Sequence, residues 1–349
     1  MENLGRIVDV DALLHNIKLL KNLKPSKKIC AMIKADAYGH GIINIAKILD
    51  GHVDYLGVAT IHEALSLRRS DIKSKILVVG KTEKKYVELA CKNNISLSVF
   101  AYIEIAEIEQ MLEEKKLKLD VHVKINTGMN RLGVSTLKEY KLIQNKLKKS
   151  KKLNFEGVFT HFCSIFDDNK LFFDQKKSFQ KYINATLKSF NPICHIGGSG
   201  AINFDIDHVD MYRVGLNIYG YQHPKSNLAL RKVLKIKSSV LQIHNLKKGE
   251  VVGYFPGVIS PSTKKIATVF YGYNDGMDKK LKNRATVKIC GQDCKIVAVC
   301  MDMIMVDVTG LDVKVGDPVV VFDDADKFAK ILKSSNYEVL TGFSNLRVL

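Results

Sequence analysis

Apolar residues fall in two alternating rhythms along the first two-thirds of the chain. Short continuous runs occupy residues 29–34, 55–59, 76–79, 95–100, 119–125, 155–159, 192–196 and 214–219. Between them, residues 42–49, 61–68, 83–92, 103–114, 137–147 and 170–190 place apolar side chains at helical spacing. Residues 11–23 do the same ahead of the first run, with Leu13, Ile17, Leu20 and Leu23 recurring at helical intervals. Eight strands alternating with helices predict a closed (β/α)8 barrel. A doubly wound open sheet, the other α/β arrangement, usually has fewer strands.

The rhythm changes after Tyr221. His223-Pro224-Lys225-Ser226-Asn227 reads as a linker. Beyond it, β-branched runs at residues 233–243, 265–269, 285–289, 295–299, 304–308 and 318–322 are separated by turns, signalled by Gly291-Gln292-Asp293 and Thr309-Gly310. The expected class is therefore α/β: a TIM-like (β/α)8 barrel over residues 8–224, followed by a smaller mostly-β domain over 225–349, with residues 1–7 packing on that domain.

Composition narrows the function classes. A length of 349 residues suits two domains or a barrel plus an appendage. No apolar stretch approaches the length of a membrane span, and Met1–Arg6 lacks the basic and apolar regions of a signal peptide, so a cytoplasmic protein is expected. The net charge is +18, but only eight of the 54 basic residues are arginine, and the lysines are spread along the chain. The densest run, Lys146, Lys148, Lys149, Lys151 and Lys152, reads as a solvated helix end. With no Trp and no basic strand interleaved with aromatics, the charge implies a lysine-rich surface and no nucleic-acid partner. Seven cysteines without a C-x-x-C pair fit reduced thiols and neither a disulfide framework nor a zinc site.

The chemistry concentrates in short strings. In Ala31-Met32-Ile33-Lys34-Ala35-Asp36-Ala37-Tyr38-Gly39-His40-Gly41, Lys34 ends an apolar strand before a turn with two glycines. A lysine desolvated there suits an amine nucleophile, and barrel active sites lie at the C-terminal strand ends. Taken alone it reads rather as a lysine snorkelling to the rim. Read singly, Tyr273 is a half-buried β-domain tyrosine, His161 a core histidine and Arg213 a structural ion-pair residue.

The strings together read differently. The Lys34 segment resembles the cofactor-lysine motif of the alanine racemase family, which uses pyridoxal 5'-phosphate (PLP). Further motifs of that family recur in order over essentially the whole chain: Lys124-Ile125-Asn126-Thr127-Gly128-Met129-Asn130-Arg131-Leu132-Gly133, Thr160-His161-Phe162, Arg213-Val214-Gly215-Leu216 with Tyr219-Gly220, Gly272-Tyr273-Asn274-Asp275-Gly276, and Cys300-Met301-Asp302. The resemblance implies a PLP-binding barrel followed by a β domain, a head-to-tail homodimer with shared active sites, and two-base racemisation of alanine to supply D-alanine for peptidoglycan.

It also implies roles. Lys34 carries the cofactor on its amine and serves one face of the substrate Cα, while Tyr273, arriving from the partner chain, serves the other. A hydrogen-bonded chain from that tyrosine runs through His161, Arg213 and His195. Arg213 faces the pyridine nitrogen, where an always-charged group disfavours a second positive charge. Tyr38, Ser199, Gly215 and Leu216 resemble the phosphate shell. Arg131 contacts both cofactor and substrate carboxylate, and the Met301 backbone N–H adds to the latter. Lys124 matches a position often carbamylated, which positions Arg131.

Departures from the pattern are Asn126 for the usual Asp, Gly198 where Asn is common, Val297-Ala298 for Gly-Arg, and an end at Leu346-Arg347-Val348-Leu349 without the customary tail, with Asn345 where an entrance-lining Tyr often sits. They bear on PLP affinity, substrate access and strictness for alanine. The alternative readings are a broader amino-acid racemase, a non-catalytic PLP-binding barrel protein, and a decarboxylase on the same plan. The non-catalytic reading is disfavoured by the β domain with Tyr273 and Met301, and the decarboxylase by Arg213 and the Lys34 and Tyr273 motifs.

Overall fold

The computed structural model describes residues 5–254, 258–259, 262 and 264–345. Residues 1–4 and Leu346-Arg347-Val348-Leu349 lie outside the described residues. Among the described residues, no helix is long and apolar enough to cross a membrane.

The chain forms two compact units, one of residues 13–37 and 42–231, the other of residues 1–12, 38–41 and 232–349. Strand β1 (Gly5–Val8) belongs to the second. The first unit is built on eight parallel strands: β2 (Lys28–Met32), β3 (Tyr55–Val58), β4 (Lys75–Val78), β5 (Ile95–Val99), β6 (Leu119–Lys124), β7 (Leu153–His161), β8 (Ile193–Gly197) and β9 (Met211–Val214). They follow one another in order and close where Lys28–Ala31 pairs with Met211–Val214. Nearly every strand residue is buried, as expected of a parallel sheet covered on its outer face.

The covering helices bury one stripe each. Ile61, Ala64 and Leu67 do so in Ile61–Arg69, whose start is fixed by a capping box between Thr60 and Glu63. In Val10–Leu23, Leu13, Ile17 and Leu20 are buried while Leu23, in the last turn, is exposed.

Several boundaries differ from the sequence pattern. Strand β2 stops at Met32, so Lys34 opens a helical turn instead of ending the strand, and the stripe over 83–92 is a 3-10 turn (Lys84–Tyr86) running into a helix (Val87–Lys92). The eighth strand is Met211–Val214, and residues 216–219 form a 3-10 turn instead of a strand. The charge of Arg213 breaks the apolar run that marks the strand, and Gly215, at φ −116° and ψ −95°, ends it. The helix expected over 170–190 is Asn169–Asn184. Beyond it, Leu187 N–H donates to Gln144 Oε1 (2.7 Å), and Thr186 shares a hydroxyl bond with Tyr140 (2.8 Å).

The second unit is an antiparallel seven-stranded sheet in the order β1-β10-β13-β16-β15-β14-β17, with β10 also paired to β17. Its members are β10 (Leu234–Leu246), β13 (Lys264–Val269), β14 (Thr286–Ile289), β15 (Gln292–Val299), β16 (Ile304–Asp307) and β17 (Pro318–Phe322); β11 (Val251–Val252) and β12 (Val258–Ile259) form a separate ribbon. Strand β1 joins at one edge, Gly5 opposite Lys237. The β14–β15 hairpin turns at Cys290-Gly291, both at positive φ, one residue earlier than the Gly-Gln-Asp signal suggests. Two helices, Ala325–Leu332 and Asn336–Thr341, follow the sheet and were not anticipated; Asp324 and Ser335 cap them.

Candidate active site

The residues singled out by sequence gather at the C-terminal strand ends of the barrel, where such folds keep their chemistry. Lys34 lies two residues past β2, Lys124 ends β6, His161 ends β7, and Arg213 is the third residue of β9. Interior positions alternate along each strand, so β7 presents Phe159 and His161 to the same interior and β8 presents His195 and Gly197. Phe159 is stacked on His195 at 4.7 Å, and the Arg213 guanidinium lies 4.6 Å from its ring centre.

Lys34 opens a helical turn, Lys34–Gly39, of the wrong hand. Ala35, Asp36, Ala37 and Tyr38 have φ of 52° to 53°, and Gly39 has 77°. Four successive non-glycine residues in the left-handed region cost about 1–2 kcal/mol each, so the neighbours must impose the turn. Ala35 N–H donates to Glu63 Oε1 (2.7 Å), and Asp36 Oδ1 accepts from Ile42 N–H (2.8 Å). Gly39 is obligatory, because a Cβ there would lie 2.0 Å from the Leu340 carbonyl oxygen. Tyr38 is buried in the second unit, tilted against Tyr337 at 5.9 Å.

The barrel residues form a concentrated positive field. Burial, then the nearby Arg131 and Arg213, lowers the Lys34 ammonium below its usual range, with Glu63 opposing. Lys124 is brought down to about 8 by burial and by Arg131, Arg213 and Lys34. His161 falls to about 3, from burial first and then from Arg213, Arg131, Lys124 and Lys34, so it is neutral at physiological pH. Arg213, buried and lowered to about 10 chiefly by desolvation, keeps its charge. It is held at both ends, Nη1 donating to His195 Nδ1 (2.7 Å) and Nη2 to the Thr160 carbonyl (2.7 Å).

Gly197 makes room for this group. A Cβ there would fall 2.3 Å from Arg213 Nη2 and 2.6 Å from His161 Nδ1.

Arg131 sits in an exposed loop organised by Asn126. The Asn126 amide nitrogen donates to Asn130 Oδ1 (3.0 Å) and Ser135 Oγ (3.1 Å), and its oxygen accepts from the Gly128 and Asn130 N–H groups. The Asp usual at this position lacks those two donors, so here the Asn is part of the loop's architecture. Gly198 has φ of +114°, a conformation suited to glycine. Ser199 opens the 3-10 turn Ser199–Asn203; its side chain, like that of Asn345, lies outside the described residues. Gly215 and Leu216 start the 3-10 turn after β9.

In the second unit, Tyr273 and Met301 come together. Tyr273 N–H donates to the Cys300 carbonyl (3.0 Å) and Asn274 N–H to that of Met301 (3.0 Å). Gly272 permits the approach, since a Cβ would lie 2.1 Å from the Met301 oxygen. The Lys279 ammonium lies 4.1 Å from the Tyr273 ring centre. Val297 and Ala298 pack in an apolar cluster with Val252 and Ile266.

Both units match one family along their length. Residues 8–223 match the alanine racemase N-terminal domain and residues 233–348 the alanine racemase C-terminal domain. The chain belongs to the alanine racemase family. Alanine racemase 1 of Clostridium acetobutylicum is 33% identical, covering 95% of this chain and 91% of that protein. The alanine racemase structure from Clostridium difficile 630 superposes with a TM-score of 0.91 at 33% identity, covering 97% of this chain and 92% of that one. A histidine racemase from Leuconostoc mesenteroides also shares the fold, at a TM-score of 0.88 and 25% identity, covering 99% and 96% of the two chains.

Sequence reasoning missed three residues that bond to or toward the Lys34 and Arg213 segments. Glu63 was signalled by the Thr60-x-x-Glu63 capping box. His122 and Glu156, buried in β6 and β7, break otherwise apolar strands, and a polar residue at an interior position was the available signal.

Proposed function

We propose that this chain is a racemase that interconverts L- and D-alanine, uses pyridoxal 5'-phosphate, and works in the cytoplasm as a homodimer to supply D-alanine for peptidoglycan. The observation that carries the reading is the donor set of the barrel. Lys34, Lys124, Arg131 and Arg213 all bear on a neutral His161, and the Glu63 carboxylate opposes Arg131 and Arg213 at Lys34. Such a set fits a phosphorylated cofactor and an amino-acid carboxylate.

Lys34, Tyr38, Arg131, His161, Ser199, Arg213, Gly215 and Leu216 would hold the cofactor. When bound, PLP supplies an electron sink that makes the substrate Cα proton removable. Lys34, its basicity lowered chiefly by burial, takes or returns that proton on one face. The Tyr273 phenol of a second copy does so on the other. Arg131 binds the substrate carboxylate through its planar fork, and the Met301 N–H of the second copy adds a donor. Arg213, a cation where a carboxylate would protonate the ring nitrogen, restrains chemistry other than proton exchange. The likeness to a histidine racemase supports, as a second reading, a broader range of amino acids.

The test is racemisation of L-alanine by the PLP-loaded protein, followed by loss of circular dichroism, with Tyr273→Phe in parallel. Racemisation by the wild type, and a loss in the variant that is greatest for proton removal from L-alanine, supports the proposal. PLP binding without turnover of small L-amino acids refutes it, and equal rates over an L-amino-acid panel would favour the broader racemase.

A further inference from the structure

Arg213 is one end of a buried chain of hydrogen bonds that crosses the barrel interior. Its Nη1 meets His195 Nδ1 at 2.7 Å. His195 Nε2 meets His122 Nδ1 at 2.8 Å, and His122 Nε2 meets Glu156 Oε2 at 2.9 Å. Both histidines are wholly buried, and Arg213 and Glu156 are nearly so.

The sequence builds this path deliberately. The β6–β7 register shifts between Val121 (opposite Phe155) and His122 (opposite Gly157), leaving Glu156 as the extra residue of a bulge. A bulge reverses the inward and outward alternation, so Glu156 faces the interior while Phe155 packs outside against Phe190 at 5.2 Å. Gly157 is required beside it, because a Cβ there would lie 2.2 Å from His122 Nδ1.

The two ends fix the direction of every bond. A guanidinium only donates, so His195 Nδ1 must accept and carry no proton. A neutral His195 then has its proton on Nε2 and donates to His122 Nδ1. That leaves the His122 proton on Nε2, where it donates to Glu156.

Glu156 closes the chain as a saturated acceptor. Oε1 accepts from the Tyr55 hydroxyl (2.8 Å) and Lys75 Nζ (2.6 Å), and Oε2 accepts from the Ser96 hydroxyl (2.6 Å) and His122. Burial pushes its carboxyl up, but the His122 bond and the Lys75 and Ser96 donors outweigh that and hold it ionised. His195 stays uncharged, from burial and then from the adjacent Arg213.

We infer that Glu156 is a positioning residue for Arg213: its carboxylate, acting through His122 and His195, locks both imidazoles in the one tautomer that leaves His195 Nδ1 bare to accept from the guanidinium, and so keeps the guanidinium fixed. The kinetic consequence rests on the racemase reading above; the tautomers do not. Removing the charge at Glu156 frees the chain to reverse, because a glutamine can donate to His122 as well as accept from it. A reversed chain would set a protonated His195 Nδ1 against Arg213 Nη1.

The experiment is nitrogen-15 NMR of the imidazole nitrogens in PLP-loaded protein, alongside steady-state kinetics of Glu156→Gln on L-alanine. In the wild type, His122 and His195 should each show a proton on Nε2 and a bare Nδ1. In Glu156→Gln, kcat should fall about tenfold with KM changed less than about twofold, the pattern of a lost supporting contact, and His195 should lose its single tautomer. A proton on Nδ1 of either ring in the wild type overturns the inference, as does a folded variant with unchanged kcat or unchanged tautomers. The wild-type spectrum decides the matter alone if the variant does not fold. Failure of the wild type to racemise alanine would sink the racemase reading and leave the tautomers to decide the chain of bonds.

Discussion

The backbone N–H of Ala35, one residue past Lys34, donates to Glu63 Oε1 at 2.7 Å. The other Glu63 oxygen accepts from Ala59 N–H (2.8 Å) and Thr60 N–H (3.1 Å). One carboxylate thus ties the exit of β3 to a turn whose backbone is unfavourable by itself. Glu63→Gln keeps the size but gives one acceptor oxygen in place of two and removes the charge. Hydrogen bonds to a charged group contribute about 1.5–3 kcal/mol, so a stability loss of about that size is expected in urea titration. Retention of the cofactor proposed for Lys34 should weaken on the order of tenfold. Unchanged values for both would mean the left-handed turn is imposed from elsewhere.

Acid should destabilise the fold well before its carboxylates titrate. His161 has its pKa lowered to about 3 by burial and by Arg213, Arg131, Lys124 and Lys34, and His195 is held well below its usual range by burial and Arg213. In the unfolded chain both titrate near 6.5. Below that pH the unfolded state binds protons that the folded state refuses, so stability falls as pH drops from 6.5 toward 3. Each histidine contributes a slope of about 1.4 kcal/mol per pH unit once well below 6.5. Urea midpoints at pH 7 and pH 5 measure it, and His161→Gln should make the dependence shallower. A flat profile would show that these rings are charged in the fold.

Most of the barrel was legible because its strands are apolar runs of fixed length between helical stripes. The reading failed where a functional residue interrupts the run. Arg213 hid the start of β9, and the eighth strand was placed on residues that form a 3-10 turn. Glu156 and His122 are polar residues in interior positions whose meaning depends on a bulge that no sequence pattern announces. The Lys34 turn is the sharpest case. Ala35, Asp36 and Ala37 carry no local signal for positive φ, and alanine favours the right-handed helix, so the conformation is a tertiary effect. The roles proposed for Lys34, Tyr273 and Arg213 rest on strings of residues in order, not on any one side chain.

Lys124 should be carbamylated. Burial and the charges of Arg131, Arg213 and Lys34 lower its pKa to about 8, so an appreciable fraction is neutral amine near physiological pH. The neutral amine attacks carbon dioxide, a C–N bond forms, and a proton leaves to solvent. The product is an anion placed among three cations, which relieves the repulsion that lowered the pKa. With carbon-13 bicarbonate, a carbamate carbonyl signal is expected that grows from about pH 7 to about pH 9 and is absent in Lys124→Ala. A well-resolved electron density map showing a plain ammonium would count against it.

Gly197→Ala tests how tightly the centre is set. The added methyl would lie 2.3 Å from Arg213 Nη2 and 2.6 Å from His161 Nδ1. An arginine end can usually swing aside, but this one is bound to His195 on one nitrogen and to the Thr160 carbonyl on the other. His161 cannot absorb the strain either, because it ends a strand that pairs directly with Gly197. The methyl must therefore break one of the two guanidinium bonds or push β8 outward. Overpacking of this kind costs about 1–3 kcal/mol, which urea unfolding would register. A displacement near 1 Å in a reacting site costs on the order of a hundredfold in rate. Alanine racemisation should fall by about that factor while the protein still folds. If the variant racemises at the wild-type rate, Arg213 and His161 do not need the positions they occupy here.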